Sequence, residues 1–374
     1  MNMKTIAISA NTSWYLYNFR ANTIKSLIKA GYQVLAIAPE DGYSEQLKLL
    51  GCEFIHIPID QSGKNPIKDL ITLVKFYLIF KKQNVKCVLN FTPKNNIYST
   101  LAASLTNVKA INNIAGLGIL FIEESITSKI ARALYKLSQQ KASRIFFQNE
   151  EDRDIFLSQK IVDISITDRL PGSGVDLKRF YLSPSQDDGV VRFLLVARML
   201  YDKGIGQYVE AARHLKTKYG SNVEFRLLGF LDVNNPSAVT KEDMQSWVDE
   251  GIVTYLGTSD NVEKEIALVD CMVLPSYYRE GVPKSLLESG AMGKPIVTTD
   301  NVGCRETVDE GINGFLCVPR SSDSLIEKLD LIINMSHEQR IKMGMASRKK
   351  IESEFNEEIV INKYLDAVAQ CINH

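Results

Sequence analysis

Two carboxylates lie eight positions apart in the stretch Glu280–Glu288, which also contains a Gly-Val-Pro turn. The apolar run Cys271–Leu274 precedes it, so the pattern predicts a strand, a loop and then a helix. The first amides of a helix have no partner within the helix and favour anions or hydroxyl groups. Carboxylates for sugar or ribose hydroxyls, beside amides for a phosphate, suit a nucleotide-sugar.

Two cations, Arg198 and Lys203, follow the apolar run Val191–Ala197, and Gly204 then opens a predicted helix. A guanidinium binds phosphate oxygens with a planar fork, whereas an ammonium acts as a point charge. A solvated loop would explain the two cations alone. Their combination with the two carboxylates favours one site for a phosphorylated, hydroxylated ligand.

Short apolar runs alternate with amphipathic helical patterns along the chain, which predicts right-handed βαβ units on parallel sheets. The pattern breaks after Leu170, so we expect two doubly wound, Rossmann-like α/β domains, 1–170 and 175–355, facing a central cleft. The last helix, 357–374, has no place in the second series and is expected to pack back onto the first domain. The predicted strands are Thr5–Ser9, Val34–Ala38, Phe54–Ile57, Cys87–Asn90, Ala110–Asn113, Arg144–Gln148, Val191–Ala197, Val223–Leu228, Val253–Leu256, Cys271–Leu274, Ile296–Thr299 and Phe315–Val318.

The composition is that of a soluble globular protein: 374 residues, 45% hydrophobic and 24% charged. The six cysteines form no Cys-x-x-Cys pair, which is typical of buried thiols in a reducing cytoplasm. No apolar run approaches the roughly 20 residues of a spanning helix. We therefore expect a cytoplasmic protein that does not cross a membrane.

Charge is unevenly distributed although the formal net charge is zero. Residues 1–149 hold 18 Lys and Arg against 8 Asp and Glu, and the remainder holds 26 against 36. A basic half favours an anionic partner, either a membrane leaflet or a nucleic acid, although ordinary surface variation would also produce it. Aromatic residues are not interleaved with the basic ones as stacking platforms would require, so we expect no nucleic acid partner.

The predicted helix Pro66–Lys82 is apolar on most of its circumference, with Lys68, Thr72, Lys75 and Lys82 forming a polar stripe. It is either a buried domain helix with a solvent stripe or an interfacial helix with lysines at anionic headgroups. Together with the basic half, it predicts peripheral association with the inner face of the cell membrane.

The chain resembles the family-four retaining glycosyltransferases of the GT-B fold over essentially its whole length. It is most similar to bacterial enzymes that extend polyprenyl-diphosphate-linked glycans for capsule, O-antigen or protein glycosylation. The matching motifs are Val196-Ala197-Arg198, Asp202-Lys203-Gly204, Leu228-Gly229, Thr254-Tyr255-Leu256-Gly257, Leu274-Pro275-Ser276, Glu280-x7-Glu288, Asn18-Phe19-Arg20, Gly116-Leu117-Gly118, Phe147-Gln148-Asn149 and Pro171-Gly172-Ser173-Gly174-Val175-Asp176.

The resemblance implies roles for the donor residues. Arg198 and Lys203 would bind the donor diphosphate and stabilise the departing UDP, Glu280 would hold hydroxyls of the donor sugar, and Glu288 those of the ribose. Arg198, Lys203 and Glu280 are thus the implied catalytic residues. The remaining implied donor contacts are Gly229, Tyr255, Leu256, Gly281, Val282, Pro283, Lys284, Ser285 and Leu286.

Acceptor contacts are expected after the strands of the first domain. We predict that Arg20 and Asn18 open a helix there, and that the glycines allow close approach of a bulky ligand. Loop lysines and asparagines are common, so ordinary surface polarity is the alternative. The candidate acceptor residues, for a sugar linked to a lipid diphosphate, are Asn18, Arg20, Lys94, Asn95, Asn96, Gly116 and Gly118.

No general base, metal or cofactor is predicted. Ala115 stands before Gly116, where some relatives carry an acidic residue or histidine. In a front-face mechanism the leaving phosphate itself can accept the proton of the acceptor. Asp152-Arg153-Asp154 spells a metal-binding signature of another glycosyltransferase fold, but it follows Asn149-Glu150-Glu151, so acids opening a helix explain it better.

We therefore expect a metal-independent retaining glycosyltransferase that moves a hexose or N-acetylhexosamine from a UDP-sugar, its co-substrate, to a lipid-diphosphate-linked acceptor. A UDP-sugar 2-epimerase of similar architecture is one alternative, and a non-catalytic glycan- or nucleic-acid-binding module is another. The sequence leaves the identity of the donor sugar open.

Overall fold

The computed structural model describes residues 3–60, 65–117, 126–279 and 281–373. The chain divides into two compact units. The first combines Met1–Ser173 with Glu358–His374, and the second is Gly174–Glu357. The C-terminal segment thus belongs to the first unit.

The first unit is built on a parallel sheet whose described strands run in the order β3-β2-β1-β4-β5-β6-β7. A π-helical turn, Asn95–Ser99, leads directly into α4. The strands are β1 (Thr5–Ser9), β2 (Gln33–Ala38), β3 (Glu53–His56), β4 (Val85–Asn90), β5 (Lys109–Ile114), β6 (Arg144–Phe147) and β7 (Thr167–Arg169). The helices are α1 (Ser13–Lys29), α2 (Ser44–Leu49), α3 (Pro66–Lys82), α4 (Thr100–Ser104), α5 (Ile126–Gln139), α6 (Glu150–Ser158) and the C-terminal α13 (Glu357–Asn373).

The second unit has its own parallel sheet, with described strands in the order β10-β9-β8-β11-β12-β13. The strand order reverses between β8 and β11, which is where open α/β sheets bind ligands. The strands are β8 (Val191–Val196), β9 (Val223–Leu228), β10 (Thr254–Tyr255), β11 (Cys271–Leu274), β12 (Ile296–Thr299) and β13 (Gly314–Cys317). The helices are α7 (Ile205–Tyr219), α8 (Lys241–Asp249), α9 (Val262–Ala267), α10 (Lys284–Ala291), α11 (Ser322–Asn334) and α12 (His337–Glu354).

Two parallel Rossmann-like sheets confirm the predicted fold class, and two local features differ from the sequence prediction. Thr167–Arg169 pairs as an edge strand, which its short polar sequence did not indicate. Helix α1 begins at Ser13, before the predicted opening at Asn18 and Arg20, because Thr12 accepts a hydrogen bond from the Tyr15 amide as its N-cap.

Helix starts elsewhere follow local capping chemistry. The Asn65 side chain accepts from the amides of Ile67 and Lys68 at the start of α3. The Asn149 side chain accepts from the amide of Asp152 at 2.8 Å, and the Asn149 side-chain amide donates to the Asp152 carboxylate at 3.1 Å. Asp152 is fully buried within this helix cap. The first acidic residue of the Asp-x-Asp sequence therefore lies at the start of a helix, as predicted.

Helix α13 is held to the first unit through Tyr364. The ring of Tyr364 makes edge contacts with Phe91 and Phe146, with ring centroids 5.6 and 5.4 Å apart. The guanidinium of Arg20 lies 5.8 Å from the Tyr364 centroid. The buried Tyr364 hydroxyl has no hydrogen-bond partner in the described part of the chain, and burial raises its pKa. The ring, rather than the hydroxyl, therefore stabilises this contact.

Substitutions at Tyr364 test that conclusion. Tyr364→Phe should be neutral or stabilising by up to about 1 kcal/mol, because it removes a buried unpaired hydroxyl. Tyr364→Ala should cost roughly 3–5 kcal/mol, the usual loss for a large buried aromatic ring. Urea unfolding followed by circular dichroism measures both changes. Clear destabilisation by the phenylalanine variant would show that the hydroxyl has a partner.

Candidate functional site

The carboxyl ends of β8, β9 and β10 are joined by hydrogen bonds around Gly229. The Ala197 amide donates to the Leu228 carbonyl at 3.1 Å, and the Gly229 amide donates to the Gly257 carbonyl at 2.8 Å. A Cβ on Gly229 would lie 1.8 Å from the Ala197 carbonyl oxygen, so no larger residue is accommodated. The Tyr255 hydroxyl closes the corner by donating to the Gly229 carbonyl at 2.8 Å.

The loop from β8 to α7 lies directly on the end of β11. Lys203 ends a 3₁₀ turn, and Gly204 follows in the left-handed region with φ 78°. A Cβ on Gly204 would approach the Pro275 carbonyl oxygen to 2.2 Å. Glycine is therefore required here by both conformation and space.

A second set of contacts fixes the same two loops. The carbonyl of Asp202 accepts hydrogen bonds from the amides of Tyr277 and Tyr278, both at 3.1 Å. The Ser276 hydroxyl also donates to this carbonyl, at 3.3 Å. The Lys203 ammonium, on the next residue, lies 5.2 Å from the Tyr278 ring centroid. The lysine is thus positioned at the carboxyl edge of the sheet.

Arg198 supplies an available positive charge at the same edge. It is exposed, and its guanidinium has neither an ion-pair nor a hydrogen-bond partner within the described residues. Most other arginines of this unit are paired, such as Arg192 with Asp188 at 2.8 Å. An unpaired guanidinium beside strand ends is suited to an anionic ligand.

The start of α10 follows the same strand, β11. Gly281, Val282 and Pro283 are buried, and α10 begins at Lys284. The amide of Leu286 donates to the Pro283 carbonyl at 3.2 Å. The Leu286 amide is therefore used within the helix. Fewer of the first amides of α10 than the sequence suggested have no partner within the helix.

Glu288 lies one turn into α10 with little exposure. The Lys284 ammonium is 3.8 Å from its carboxylate. Burial raises the pKa of Glu288, while the positive charges of Lys284 and Arg179 oppose this rise. Glu280, the other predicted carboxylate, lies outside the described residues.

The predicted acceptor residue Arg20 lies within α1 rather than at its start, and it is almost fully buried. Its guanidinium stacks 4.3 Å from the Phe91 centroid. It donates hydrogen bonds to the hydroxyls of Tyr15 and Ser173, both at 3.2 Å. These contacts make Arg20 part of the first unit's interior, because α1 starts earlier than predicted.

Asn95 and Asn96, also predicted as acceptor contacts, are likewise inside the protein, with exposures of 0% and 1%. The Asn95 side-chain amide donates to the Ser9 hydroxyl at 3.0 Å. The Asn96 side-chain amide donates to the Asn113 carbonyl at 2.9 Å. Lys94 forms an ion pair with Asp69 at 2.6 Å, which connects the π-helical turn to α3.

The remaining predicted acceptor residues are Asn18, Gly116 and Gly118. The Asn18 side chain donates to the Trp14 carbonyl at 3.0 Å, within α1. Gly116 is half-buried with φ 110°, a conformation that favours glycine. Gly118 lies outside the described residues.

Sequence reasoning missed Tyr277, Tyr278 and Asn301. The Asn301 side chain, after β12, donates to the Tyr278 carbonyl at 2.9 Å. Tyrosines in a loop carry no functional signal by themselves.

Metal ligands do not cluster in the described part of the chain: no three His, Cys, Asp or Glu side chains come together there.

Two family models match separate parts of the chain. Residues 183–350 match the family model described as glycosyl transferases group 1. Residues 5–149 match the model described as glycosyl transferase 4-like.

Similar curated proteins are named as bacterial sugar transferases. The N,N'-diacetylbacillosaminyl-diphospho-undecaprenol alpha-1,3-N-acetylgalactosaminyltransferase of Campylobacter jejuni is 27% identical, and the match covers 94% of each chain. The UDP-Gal:alpha-D-GlcNAc-diphosphoundecaprenol alpha-1,3-galactosyltransferase of Escherichia coli is 25% identical, covering 78% of this chain and 76% of that protein. A capsular polysaccharide biosynthesis glycosyltransferase of Staphylococcus aureus is 24% identical, and the match covers 87% of this chain and 86% of that protein.

Solved structures share the fold at low identity. A glycosyltransferase from Rickettsia africae superimposes with a TM-score of 0.79 and 19% identity, covering 100% of this chain and 99% of that one. Anabaena HepE in complex with UDP-glucose superimposes with a TM-score of 0.78 and 14% identity, covering 98% of this chain and 99% of that one.

The contact between Gly204 and Pro275 can be tested by substitution. Gly204→Ala should destabilise the second unit by roughly 2–4 kcal/mol, because a left-handed conformation and a collision with the Pro275 carbonyl coincide there. Gly251→Ala is the matched control: its φ is 69°, but nothing lies within 4 Å of the added carbon. The control should cost only about 1–2 kcal/mol. Denaturant unfolding measures both variants. An equal loss of unfolding free energy in the two variants would contradict a destabilising collision with the Pro275 carbonyl.

Proposed function

This chain belongs to the glycosyltransferases of the GT-B fold, and we propose that it is a retaining, metal-independent enzyme that uses a UDP-sugar donor. Its acceptor is a sugar carried on a lipid diphosphate. The two similar proteins from Campylobacter jejuni and Escherichia coli carry diphospho-undecaprenol acceptors in their names. The name of the second also specifies a UDP-sugar.

The observation that carries the proposal is the pair of cations after β8. Arg198 is exposed and unpaired among the described residues, and Lys203 lies on the loop that Gly204 seats against Pro275. Fixed cations stabilise the charge that develops on a leaving diphosphate, and they require no rearrangement during the reaction. They supply the neutralisation that a metal ion gives in other transferases, which supports metal independence.

The proposed reaction exchanges one bond at the anomeric carbon of the donor sugar. The bond between that carbon and the UDP phosphate oxygen breaks, and an acceptor hydroxyl oxygen forms a new bond on the same face. The acceptor proton passes to the leaving phosphate, so no side-chain base is needed. Glu280 binds hydroxyls of the donor sugar in this scheme, and Glu288 binds those of the ribose.

The acceptor residues of the proposal change with the structure. Arg20, Asn95 and Asn96 stabilise the interior of the first unit rather than offering side chains at its surface. Gly116 keeps its proposed role in the close approach of an acceptor, since its backbone conformation favours glycine.

Turnover assays test the proposal. The protein is incubated with each of several UDP-sugars, with and without a lipid-diphosphate disaccharide, and both UDP and sugar products are measured. We expect UDP release only with acceptor. Lys203→Ala and Glu280→Ala should each lower turnover by about 10²–10³-fold, the usual loss for one transition-state contact.

Other results would contradict the assignment. Sugar conversion without acceptor would identify an epimerase, and no reaction with any donor would favour a binding module. Full activity in either variant would overturn the donor site.

Membrane attachment through α3 completes the proposal. No helix in the described ranges is both long and apolar enough to cross a membrane. Thr72, predicted in a polar stripe, is instead buried with Phe76 and Phe80. The outward face of α3 therefore carries both apolar side chains and lysines: Ile67, Leu70, Ile71, Val74 and Leu78 are exposed, together with Lys68, Lys75, Lys81 and Lys82.

Apolar side chains at positions 67, 70, 71, 74 and 78 share one side of a helix. Five exposed large apolar residues on one side mark a contact surface rather than ordinary solvent exposure. The flanking lysines complement an anionic leaflet. We propose that α3 lies at the inner face of the cell membrane, beside the lipid-linked acceptor.

Liposome sedimentation tests this attachment. Leu70→Glu combined with Leu78→Glu should abolish binding to anionic vesicles, and high salt should weaken binding of the natural protein. Leu49→Glu is the control, since Leu49 is 86% exposed but lies on α2. Equal, negligible binding to neutral and anionic vesicles by the natural protein would contradict the proposal.

A further inference from the structure

The ammonium of Lys203 lies 5.2 Å from the ring centroid of Tyr278. This distance is within the range of a cation–π interaction, about 6 Å. We propose that Tyr278 is a positioning residue for Lys203, whose ring holds the ammonium in the place where the donor diphosphate binds. The inference rests on the proposed function of the second unit.

A lysine at such a site needs an external constraint. Its ammonium is a compact charge on a flexible four-carbon stem, unlike the rigid fork of arginine. Transition-state stabilisation requires the charge to be in place before the reaction. An aromatic face restricts the position of the ammonium and leaves its positive charge in place.

The backbone of Tyr278 is held by hydrogen bonds on both sides of the residue. The Tyr278 amide donates to the Asp202 carbonyl at 3.1 Å and lies 3.3 Å from the Ser276 hydroxyl oxygen. The Tyr278 carbonyl accepts from the Asn301 side chain at 2.9 Å. Asp202 immediately precedes Lys203, so the same backbone segment carries the lysine and anchors the ring.

Tyr277 provides a matched comparison in the same loop. Its amide also donates to the Asp202 carbonyl at 3.1 Å. Its ring, however, lies 4.6 Å from the guanidinium of Arg320. The two tyrosines therefore share a backbone role and differ in the cation that each ring contacts.

The experiment compares Tyr278→Leu, Tyr278→Phe, Tyr277→Leu and Lys203→Ala, and the double variant Tyr278→Leu with Lys203→Ala. We expect Tyr278→Leu to lower kcat by about tenfold with a smaller change in donor KM, since the contact acts on the transition state. Tyr278→Phe keeps the aromatic face and should stay within about threefold of the natural enzyme. Tyr277→Leu should lower kcat less than Tyr278→Leu does.

The double variant separates positioning from general loop structure. If the ring acts through the ammonium, Tyr278→Leu should cause no further loss once Lys203 is alanine. Thermal melting checks folding, and Tyr278→Met replaces the leucine variant if that variant does not fold.

Three results would overturn the inference: unchanged kcat in Tyr278→Leu, an equal loss in Tyr278→Phe, or additive losses in the double variant. Full activity of Lys203→Ala would instead overturn the proposed donor site. Loss of activity in Lys203→Ala with a fully active Tyr278→Leu would contradict the positioning role alone.

Discussion

The close contact of Gly204 with the Pro275 carbonyl is the constraint on which the candidate site depends. A side chain at Gly204 would bring its first carbon within 2.2 Å of that oxygen. The contact seats the loop that carries Lys203 on the loop that leads to α10. The Asp202 carbonyl reinforces it by accepting two amides from the second loop. Proposed donor-binding groups that are about 80 residues apart in sequence are thereby held at one edge of a sheet.

The first unit uses polar side chains differently, because many of them satisfy one another within the interior. Ser9, Asn90 and Asn112 connect neighbouring strands through buried hydrogen bonds of 2.7 and 2.9 Å. Gln139 continues the network by accepting from the Asn112 side chain at 2.7 Å. Buried polar groups need such partners, and the hydrogen bonds between these side chains favour one packing arrangement. Polar residues after these strands therefore give a poor guide to acceptor binding.

Much of the fold could be predicted from the alternation of apolar runs and helical patterns. The twelve strands expected from the sequence are all present, because burial on both faces leaves continuous apolar segments. The edge strand Thr167–Arg169 was missed since its sequence is polar. The start of α1 was missed because its first turns contain Trp14, Tyr15 and Tyr17, which have modest helix propensity.

The candidate site was less predictable from sequence than the fold. Residue type and spacing indicated Arg198, Lys203 and Glu288, since charges after strands are recognisable. Arg20 and Asn95 were expected to contact an acceptor, but the structure buries both side chains. A linear pattern does not reveal which side chains turn inward. Tyr278 depends on a contact between separate loops, for which the sequence has no local signal.

The most direct test of the central claim is calorimetric titration of UDP into the natural protein and into the Arg198→Ala/Lys203→Ala double variant. We predict saturable binding at one site in the natural protein. The double variant should bind at least about 100-fold more weakly, since two charge-assisted contacts to phosphate are lost. Equal affinity in both proteins, or no binding to the natural protein, would contradict the placement of a nucleotide-sugar site at the end of β8.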